Sequence, residues 1–349
     1  MRWPRQAPHY RYRSCIRHLQ LPRHVEEDRL ISLRIATNTV AEFMSGAGTA
    51  TKSVLCAIVV LLATHAFATE PDSMGSRVLP LTQMMPQLSR EKQIWIYLPP
   101  GYGNDERKRF PVLYVQDGQY LFEALSSSTD NPYINESLVR KLLHGLRWYG
   151  SWQVDKRLDR LFAESKIDRI IVVGISSGDG NRTAEYSPWP WRDAPVPEGA
   201  YYAEFVVRTL KPYIDSHYLT LSGRSDTGIA GSSMGGLLAL YAGLKYQNVF
   251  SKVAALSPVL AANVVGRHLF EHISRQGKTH AMKIYIDLGS AEPSFGPLEP
   301  VHESLQAVGF RDEELWFRDI PEGEHRIEDW GARFPQALRW LYPSQDVIH

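Results

Sequence analysis

The chain has 349 residues, of which 44% are hydrophobic and 22% are charged, an ordinary composition for a folded protein. It carries 39 Lys and Arg against 38 Asp and Glu, so no basic field indicates a nucleic-acid-binding protein, and we expect no nucleic-acid partner. The composition also excludes a mainly disordered chain, a collagen and a small protein held together by disulfides. Nine tryptophans and 17 tyrosines are consistent with either an aromatic cleft or a bulky core.

Residues 44–68 have the three parts of a secretory signal peptide. Lys52 supplies positive charge, Val54 to Ala63 are apolar, and Ala66-Phe67-Ala68 supplies small residues before a cut at Thr69. A buried strand or a membrane anchor is the alternative, but the apolar run is shorter than the roughly 20 residues that a spanning helix needs. We expect a periplasmic or secreted protein whose mature chain has no stable membrane span.

Residues 1–43 are Arg-rich, show no clear period and would precede the signal peptide. We therefore expect translation to start at Met44, with residues 1–43 a non-native or disordered extension. Both cysteines, Cys15 and Cys56, lie before the predicted cut, so the mature chain would have no thiol for a disulfide, a nucleophile or zinc. We expect residues 69–349 to form a single domain.

Residues 69–349 alternate strand-like and helical patterns, which predicts an α/β fold with a mainly parallel sheet flanked by helices. The predicted strands are Gln93–Leu98, Pro111–Gln116, Arg169–Ile175, Thr227–Gly231, Val253–Leu256, Lys283–Asp287 and Glu314–Arg318; the predicted helices are Asp155–Lys166, Tyr201–Tyr213, Gly235–Leu244 and Ile327–Tyr342. Two stretches, Leu121–Gly150 and Gly178–Gly199, interrupt this pattern. Loops after parallel strands lie at the carboxyl edge of the sheet, so we expect these insertions to form the walls of the substrate site.

A nucleophile motif follows one of these strands. Gly231-Ser232-Ser233-Met234-Gly235 fits G-x-S-x-G, between an apolar strand and a helix of small apolar residues. A strand that turns this sharply into a helix strains its central serine and leaves no room for flanking side chains, which is why glycine is needed there. The motif predicts Ser233 as nucleophile. Ser232 is the alternative nucleophile but lacks the flanking glycines. The other interpretation of the motif is an ordinary strand–helix turn with no catalytic role.

The expected order after such a serine is an acid and then a histidine. His325 lies in a short loop after the last strand and before the closing helix, and is favoured as the base over His302, which is in a helix-like stretch. Asp287 and Glu292 are the candidate acids. Glu292 is favoured because it lies in the loop beyond the strand, where a carboxylate can turn toward the histidine.

An oxyanion hole needs two backbone N–H groups. One is predicted at Met234, the residue after the nucleophile, and the other at Gln119, in the Asp117-Gly118-Gln119 turn that ends a buried strand. A plain Asp-Gly turn is the alternative.

The motifs YLPPGY, YVQDGQ, GSSMGG, YIDLGSAE and GEH, in this order, resemble the putative-esterase family of α/β-hydrolases over about residues 76–342. That family includes siderophore esterases, feruloyl and acetyl-xylan esterases, S-formylglutathione hydrolases and mycolyltransferases. The resemblance implies the α/β-hydrolase fold, an oxyanion N–H at Gln119 and the acid at Glu292. SWQVDKRLDRL and Arg182, Glu185 and Tyr186 look most like the siderophore-esterase branch, whereas the extra stretch around residues 124–147 departs from the family.

Aromatic residues crowd the two insertions: Trp148, Tyr149, Trp152, Tyr186, Trp189 and Trp191. They could stack on sugar or catechol rings, or pack within the loops. We expect Trp152, Tyr186 and Trp189 to contact substrate, and Arg182 to pair with an anionic or phenolic group of the substrate or else with Glu185.

The predicted function is an exported serine esterase that acts on a small-molecule or glycan ester. Siderophore esters and carbohydrate esters are the candidates, and no metal or organic cofactor is expected. An acyltransferase with the same site and a catalytically silent binding module are the alternatives.

Overall fold

The computed structural model describes residues 75–122, 150–178 and 181–344. An eight-stranded sheet has the order β1-β2-β4-β3-β5-β6-β7-β8. Its strands are β1 (Arg77–Met85), β2 (Arg90–Leu98), β3 (Val112–Gln116), β4 (Ile171–Ile175), β5 (Thr227–Ser232), β6 (Lys252–Leu256), β7 (Lys283–Gly289) and β8 (Leu315–Ile320). The α-helices are α1 (Val154–Ala163), α2 (Arg182–Glu185), α3 (Gly199–Phe205), α4 (Lys211–His217), α5 (Met234–Lys245), α6 (Ala262–Val265), α7 (His268–Gln276), α8 (Glu299–Ala307) and α9 (Ile327–Leu341).

The sheet is parallel from β4 through β3, β5, β6 and β7 to β8, whereas β1 and β2 are antiparallel to their neighbours. Every residue of β3, β4 and β5 is buried. Such strands are mostly apolar because helices cover both faces of a parallel sheet. The predicted α/β-hydrolase architecture is confirmed, and the carboxyl ends of the parallel strands meet at one edge.

Two hydrophobic layers cover the sheet, one on each face. Ile96 and Tyr114 point into the layer that contains Leu238 of α5, and their neighbours Tyr97 and Leu113 point into the opposite layer. This alternation follows from the two-residue period of a strand. The second layer is closed by α1 and α9, which contribute Leu158, Trp330, Phe334 and Leu338, among others.

Five elements were not among the sequence predictions: the strand β1 and the helices α2, α6, α7 and α8. β1 is an edge strand that contains Pro80 and is largely half-exposed, and both properties weaken a strand signal. The helix predicted at Tyr201–Tyr213 is longer than expected, because α3 continues through a π-helical turn at Val206–Leu210 into α4.

Four predicted features lie outside the described residues: residues 1–43, the signal peptide, the extra stretch 124–147, and the aromatic pair Trp148 and Tyr149. Those parts of the domain division therefore stay predictions. Within the described ranges, no helix has the length and apolar character needed to cross a membrane.

Candidate active site

Ser233 occupies a sharp turn between β5 and α5. Its backbone has φ 55° and ψ −125°, a conformation that side-chain-bearing residues rarely adopt. A Cβ on Gly231 would lie 2.4 Å from the carbonyl oxygen of Gly235, and one on Gly235 would lie 2.9 Å from Cβ of Gln116. The flanking glycines are therefore required by close packing, and the predicted G-x-S-x-G turn is present.

Three loops at the carboxyl edge bring serine, histidine and glutamate together. Ser233 follows β5, Glu292 follows β7 and His325 follows β8. Ser233 Oγ lies 2.9 Å from Nε2 of His325, and His325 Nδ1 lies 2.9 Å from Oε2 of Glu292. A carboxylate only accepts hydrogen bonds, so Nδ1–H donates to Glu292 and Nε2 is left to accept from the serine hydroxyl. Of the two candidate acids, Glu292 is the one that contacts the histidine.

Asp287 lies within β7, and its hydrogen bonds involve residues other than His325. Its carboxylate accepts hydrogen bonds from the hydroxyl of Tyr285 (2.9 Å) and from the backbone N–H of Ser257 (3.1 Å). Burial raises the pKa of Asp287, and the nearby Arg333 opposes that rise. The carboxylate of Asp287 therefore bonds to Tyr285 of its own strand and to the backbone that follows β6.

The environment of His325 favours its neutral imidazole. Burial lowers the pKa of His325, and the hydrogen bond that its Nδ1–H donates to Glu292 opposes this without reversing it. Glu292 is itself buried, and its second oxygen accepts a hydrogen bond from Ser257 Oγ at 2.9 Å. A neutral imidazole with Nε2 directed at a serine hydroxyl can accept that hydroxyl's proton.

The Asp117-Gly118-Gln119 turn packs against the start of α5. Asp117 has φ 57°, and a short 3-10 helix spans Gly118–Tyr120. A Cβ on Gly118 would lie 2.5 Å from the backbone carbon of Gly174 in β4, so only glycine fits. A Cβ on Gly235 would lie 3.3 Å from Oδ2 of Asp117, which shows how closely the turn approaches the first turn of α5. The predicted donors, the N–H groups of Gln119 and Met234, thus belong to adjoining backbone segments.

The side chain of Gln119 points toward Ser177, in the loop after β4. Its Nε2 donates to Ser177 Oγ at 2.7 Å, and its Oε1 accepts from the Ser177 N–H at 3.2 Å. These two hydrogen bonds tie the turn to the loop after β4. The side chain therefore positions the backbone of the turn.

Arg182 and Tyr186 hold the same turn, and the full burial of Tyr186 corrects its predicted role as a substrate contact. Arg182 donates from Nε and Nη2 to the two carboxylate oxygens of Asp117, at 2.8 and 2.7 Å. The backbone N–H of Asp117 donates to Tyr186 Oη at 2.9 Å, and Tyr186 is 0% exposed. A bidentate arginine–carboxylate pair and a buried acceptor fix the turn's orientation. The observed ion-pair partner of Arg182 is thus Asp117, and its contact with substrate stays a prediction.

Glu185 instead anchors the insertion Gly178–Gly199 to β2. It is buried, pairs with Lys92 and, at 3.2 Å, with Arg90, and accepts a hydrogen bond from the Gly178 N–H at 2.7 Å. Arg90 also pairs with Glu198 at 2.6 Å. Buried charges are tolerated when paired in this way.

Trp152 is also placed differently from its prediction. It is 1% exposed and packs against Trp330 and Phe334, with ring centroids 6.4 and 5.2 Å apart. We therefore assign it to the core and not to substrate binding. Trp189 is half-buried and packs edge-on against Tyr241 and His272, so it docks the insertion onto α5 and α7.

Sequence reasoning missed several residues around the acid and the base. Phe295 stacks on His325, Ser257 bonds to Glu292, and Arg333 bonds to Ser257. One signal was available for Arg333: it follows Trp330 by three residues and precedes Ala337 by four, which places a charge on the apolar face of α9. Ser257 and Phe295 carried no such signal.

No group of three or more His, Cys, Asp or Glu side chains in the described parts of the chain is arranged to hold a metal ion. The residues of the site supply a hydroxyl, an imidazole, a carboxylate and backbone N–H groups. These groups suffice for nucleophilic acyl transfer.

Comparison with known proteins gives relatives of two kinds. Uncharacterized protein YbbA of Bacillus subtilis (strain 168) is 25% identical over 274 residues, which cover 72% of this chain and 92% of YbbA. The endo-1,4-beta-xylanase/feruloyl esterase of Xylanibacter ruminicola is 27% identical over 264 residues, 71% of this chain. The match spans only 29% of that longer enzyme.

Solved structures share the fold. The enterobactin esterase of Shigella flexneri, solved with 2,3-dihydroxy-N-benzoyl-serine, superposes with a TM-score of 0.56 at 20% identity, over 80% of this chain and 61% of that one. A ferulic acid esterase of Anaeromyces mucronatus, solved with ferulic acid, gives a TM-score of 0.54 at 18% identity, over 78% and 94% of the two chains. The family model described as putative esterase matches residues 86–341. The chain belongs to the putative esterase family and has the fold of its α/β-hydrolases.

Proposed function

We propose that this protein is a serine esterase that cleaves a carboxylic ester through an acyl-enzyme on Ser233. The observation that carries the proposal is the continuous hydrogen-bonded series from Ser233 Oγ through the His325 ring to Glu292, with both links at 2.9 Å. The series begins at a strained turn that directs the hydroxyl toward the carboxyl edge of the sheet.

In the proposed reaction, Ser233 Oγ attacks the ester carbonyl while His325 Nε2 takes the hydroxyl proton. Glu292 holds Nδ1–H and stabilises the imidazolium that forms. The N–H groups of Gln119 and Met234 bind the oxyanion. His325 then returns the proton to the leaving alcohol, and a water molecule, activated by the same histidine, releases the acid from Ser233.

The names of similar proteins suggest the substrate class. They include a feruloyl esterase among the relatives and ferulic acid and enterobactin esterases among the solved structures. We propose a small-molecule or glycan ester as substrate. A panel of feruloylated sugars, acetylated sugars and siderophore lactones would separate these possibilities by kcat/KM.

The serine mechanism is tested with p-nitrophenyl acetate and a serine-directed phosphonate. We expect turnover by the wild-type protein, its loss after phosphonate treatment, and a phosphonate adduct that peptide mass spectrometry locates on Ser233. Turnover that survives the phosphonate, or an adduct on Ser232, contradicts the assignment. Absence of turnover on every ester of the panel favours a binding module.

We also propose export, on the signal-like pattern of residues 44–68. Expression in a bacterial host followed by cell fractionation should recover the protein outside the cytoplasm with Thr69 as its first residue. A cytoplasmic protein that retains residues 44–68 contradicts this proposal.

A further inference from the structure

A buried arginine lies behind the acid of the site. Arg333, on α9, is 6% exposed and faces two buried carboxylates, Asp287 at 0% and Glu292 at 2% exposure. Within the described residues, its Nε and Nη1 atoms have no hydrogen-bond partner. A guanidinium is always charged, and burying one costs free energy unless nearby negative charge compensates it. The two carboxylates provide that compensation.

The contacts of Arg333 with the two carboxylates differ in kind. Nη2 donates to Ser257 Oγ at 2.7 Å, and Ser257 Oγ donates in turn to Glu292 Oε1 at 2.9 Å. The direct distance from Nη2 to Glu292 Oε1 is 3.8 Å, so the hydroxyl mediates the contact. Nε lies 3.6 Å from Oδ2 of Asp287 with no group between them that bonds to both. Arg333 therefore orients Glu292 through Ser257, and it attracts Asp287 electrostatically without a hydrogen bond.

Ser257 is held where this relay needs it. It follows β6 directly, has φ 41°, and its N–H donates to Asp287 Oδ1 at 3.1 Å. The same residue thus contacts Asp287 by its backbone and Glu292 by its side chain. A hydroxyl that accepts from an arginine has one proton left, and the geometry directs that proton at the acid.

Building on the serine-esterase function proposed above, we propose that Arg333 is a positioning residue. Through Ser257 it fixes Glu292 against His325, while Asp287 neutralises the arginine so that the charge of Glu292 remains available to the imidazolium. The charges of Arg333, Asp287 and Glu292 then sum to a single negative charge. Without Asp287, Arg333 would cancel that charge where the reaction needs it.

The groups that face His325 define a test with a sign. They are Glu292 from the loop after β7, Arg333 from α9, and Arg182 from the insertion, which is itself paired with Asp117. Both arginines lower the pKa of His325 by charge repulsion. Removing Arg333 should therefore raise that pKa, and removing the negative charge of Asp287 should lower it.

The experiment measures the acid limb of the pH profile of kcat/KM on one activated ester, and the NMR titration of the His325 imidazole, for wild type, Arg333→Met, Asp287→Asn and the double variant. We expect the two single variants to shift the limb and the NMR pKa in opposite directions, and the double variant to return near the wild-type value. Ser257→Ala should lower kcat/KM by about ten- to a hundredfold, the loss of one hydrogen bond to a charged group. Arg339→Met, on the exposed side of α9, is the matched control and should shift neither.

Equal or same-direction shifts in the two single variants overturn the proposal, as does an unshifted Asp287→Asn, because Asp287 would then carry no charge to neutralise. If Arg333→Met fails to fold, the Ser257→Ala and Asp287→Asn variants still decide. Failure of the proposed function looks different: wild type then hydrolyses no ester, while the NMR shifts remain measurable.

Discussion

The imidazole of His325 lies flat against the phenyl ring of Phe295, with ring centroids 3.8 Å apart and planes 9° apart. Trp330 meets the imidazole edge-on from another side, at 4.7 Å and 90°. Two aromatic rings therefore pack against the imidazole, and its two nitrogens form hydrogen bonds with Ser233 and Glu292. Because Phe295 follows Glu292 by three residues, one loop supplies both Glu292 and the surface that orients His325.

This apolar contact predicts the pH dependence of the reaction. Burial lowers the pKa of His325 below its ordinary value of about 6.5. The base works only when unprotonated, so activity should be lost as pH falls through this lowered pKa and not at 6.5. The measurement is kcat/KM against pH on an activated ester. An acid limb at or above 6.5 would contradict it. Phe295→Ala, which admits water to the ring, should move the limb upward.

Ser233→Ala should fold normally and lose esterase activity, down to the residual roughly 10³–10⁴-fold over water that binding and oxyanion donors supply. His325→Ala should match it, because members of such a site act as a unit. Ser232→Ala is the neighbouring control, since Ser232 is the last residue of β5 and does not contact His325 in the structure described. Comparable loss in Ser232→Ala would move the nucleophile.

Glu292→Gln preserves the size of the side chain but removes the charge opposite the imidazolium. By analogy with the aspartate-to-asparagine change in serine proteases, we expect kcat to fall by about 10⁴-fold. Asp287→Asn should cost much less in rate and lower Tm, because the carboxylate accepts hydrogen bonds from Tyr285 and Ser257. Kinetics and melting curves for both variants decide this. If Asp287→Asn abolishes turnover at unchanged Tm while Glu292→Gln stays active, the acid is misassigned.

Tyr186→Phe tests the role of the Asp117 turn. The variant leaves the Asp117 N–H without its acceptor, so the turn should shift and the oxyanion donor at Gln119 with it. Oxyanion contacts form in the transition state, so kcat should fall by about tenfold with KM little changed, less than the 10²–10³-fold for outright removal of a donor. Tyr114→Phe is the matched control, since in the described residues the buried Tyr114 hydroxyl has no hydrogen-bond partner. An unchanged kcat in Tyr186→Phe, or an equal fall in both variants, argues against this role.

A second histidine predicts acid sensitivity of the fold. Burial lowers the pKa of His272 to about 4, and its Nε2 donates to the carbonyl of Tyr241 at 3.2 Å. The unfolded chain, with a histidine pKa of about 6.5, takes up the proton first, so stability should fall as pH drops from 6.5 toward 4.

Between pH 7 and pH 5 the contribution of His272 to the free energy of unfolding should decrease by about 2 kcal/mol. His272→Gln keeps a donor for Tyr241 but does not titrate, so urea unfolding should show a smaller loss in this variant. His280→Gln, at an exposed position, is the control and should lose stability as wild type does. Equal losses in all three proteins would show that His272 does not carry the effect.

The sequence by itself determined the strands of the parallel sheet, the order of the fold and the three residues that meet at its edge. These features are local: a continuous apolar run marks a strand covered on both faces, and Gly231 and Gly235 mark a turn that excludes a Cβ. Even the choice of Glu292 over Asp287 followed from position, since a carboxylate in the loop is free to turn and one within β7 is not.

What surrounds those residues was decided only by tertiary structure. Arg182 and Tyr186 read as substrate contacts because they lie in an insertion at the carboxyl edge, but their partner is Asp117, 65 and 69 residues earlier in the chain. Arg333 and Ser257 are 76 residues apart and belong to different elements. Which polar group compensates a buried charge depends on which elements pack together, and periodicity within one element carries no information about a partner on another. The serine, histidine and glutamate that meet at the sheet edge were therefore predictable from the chain, whereas the groups that hold and balance them were not.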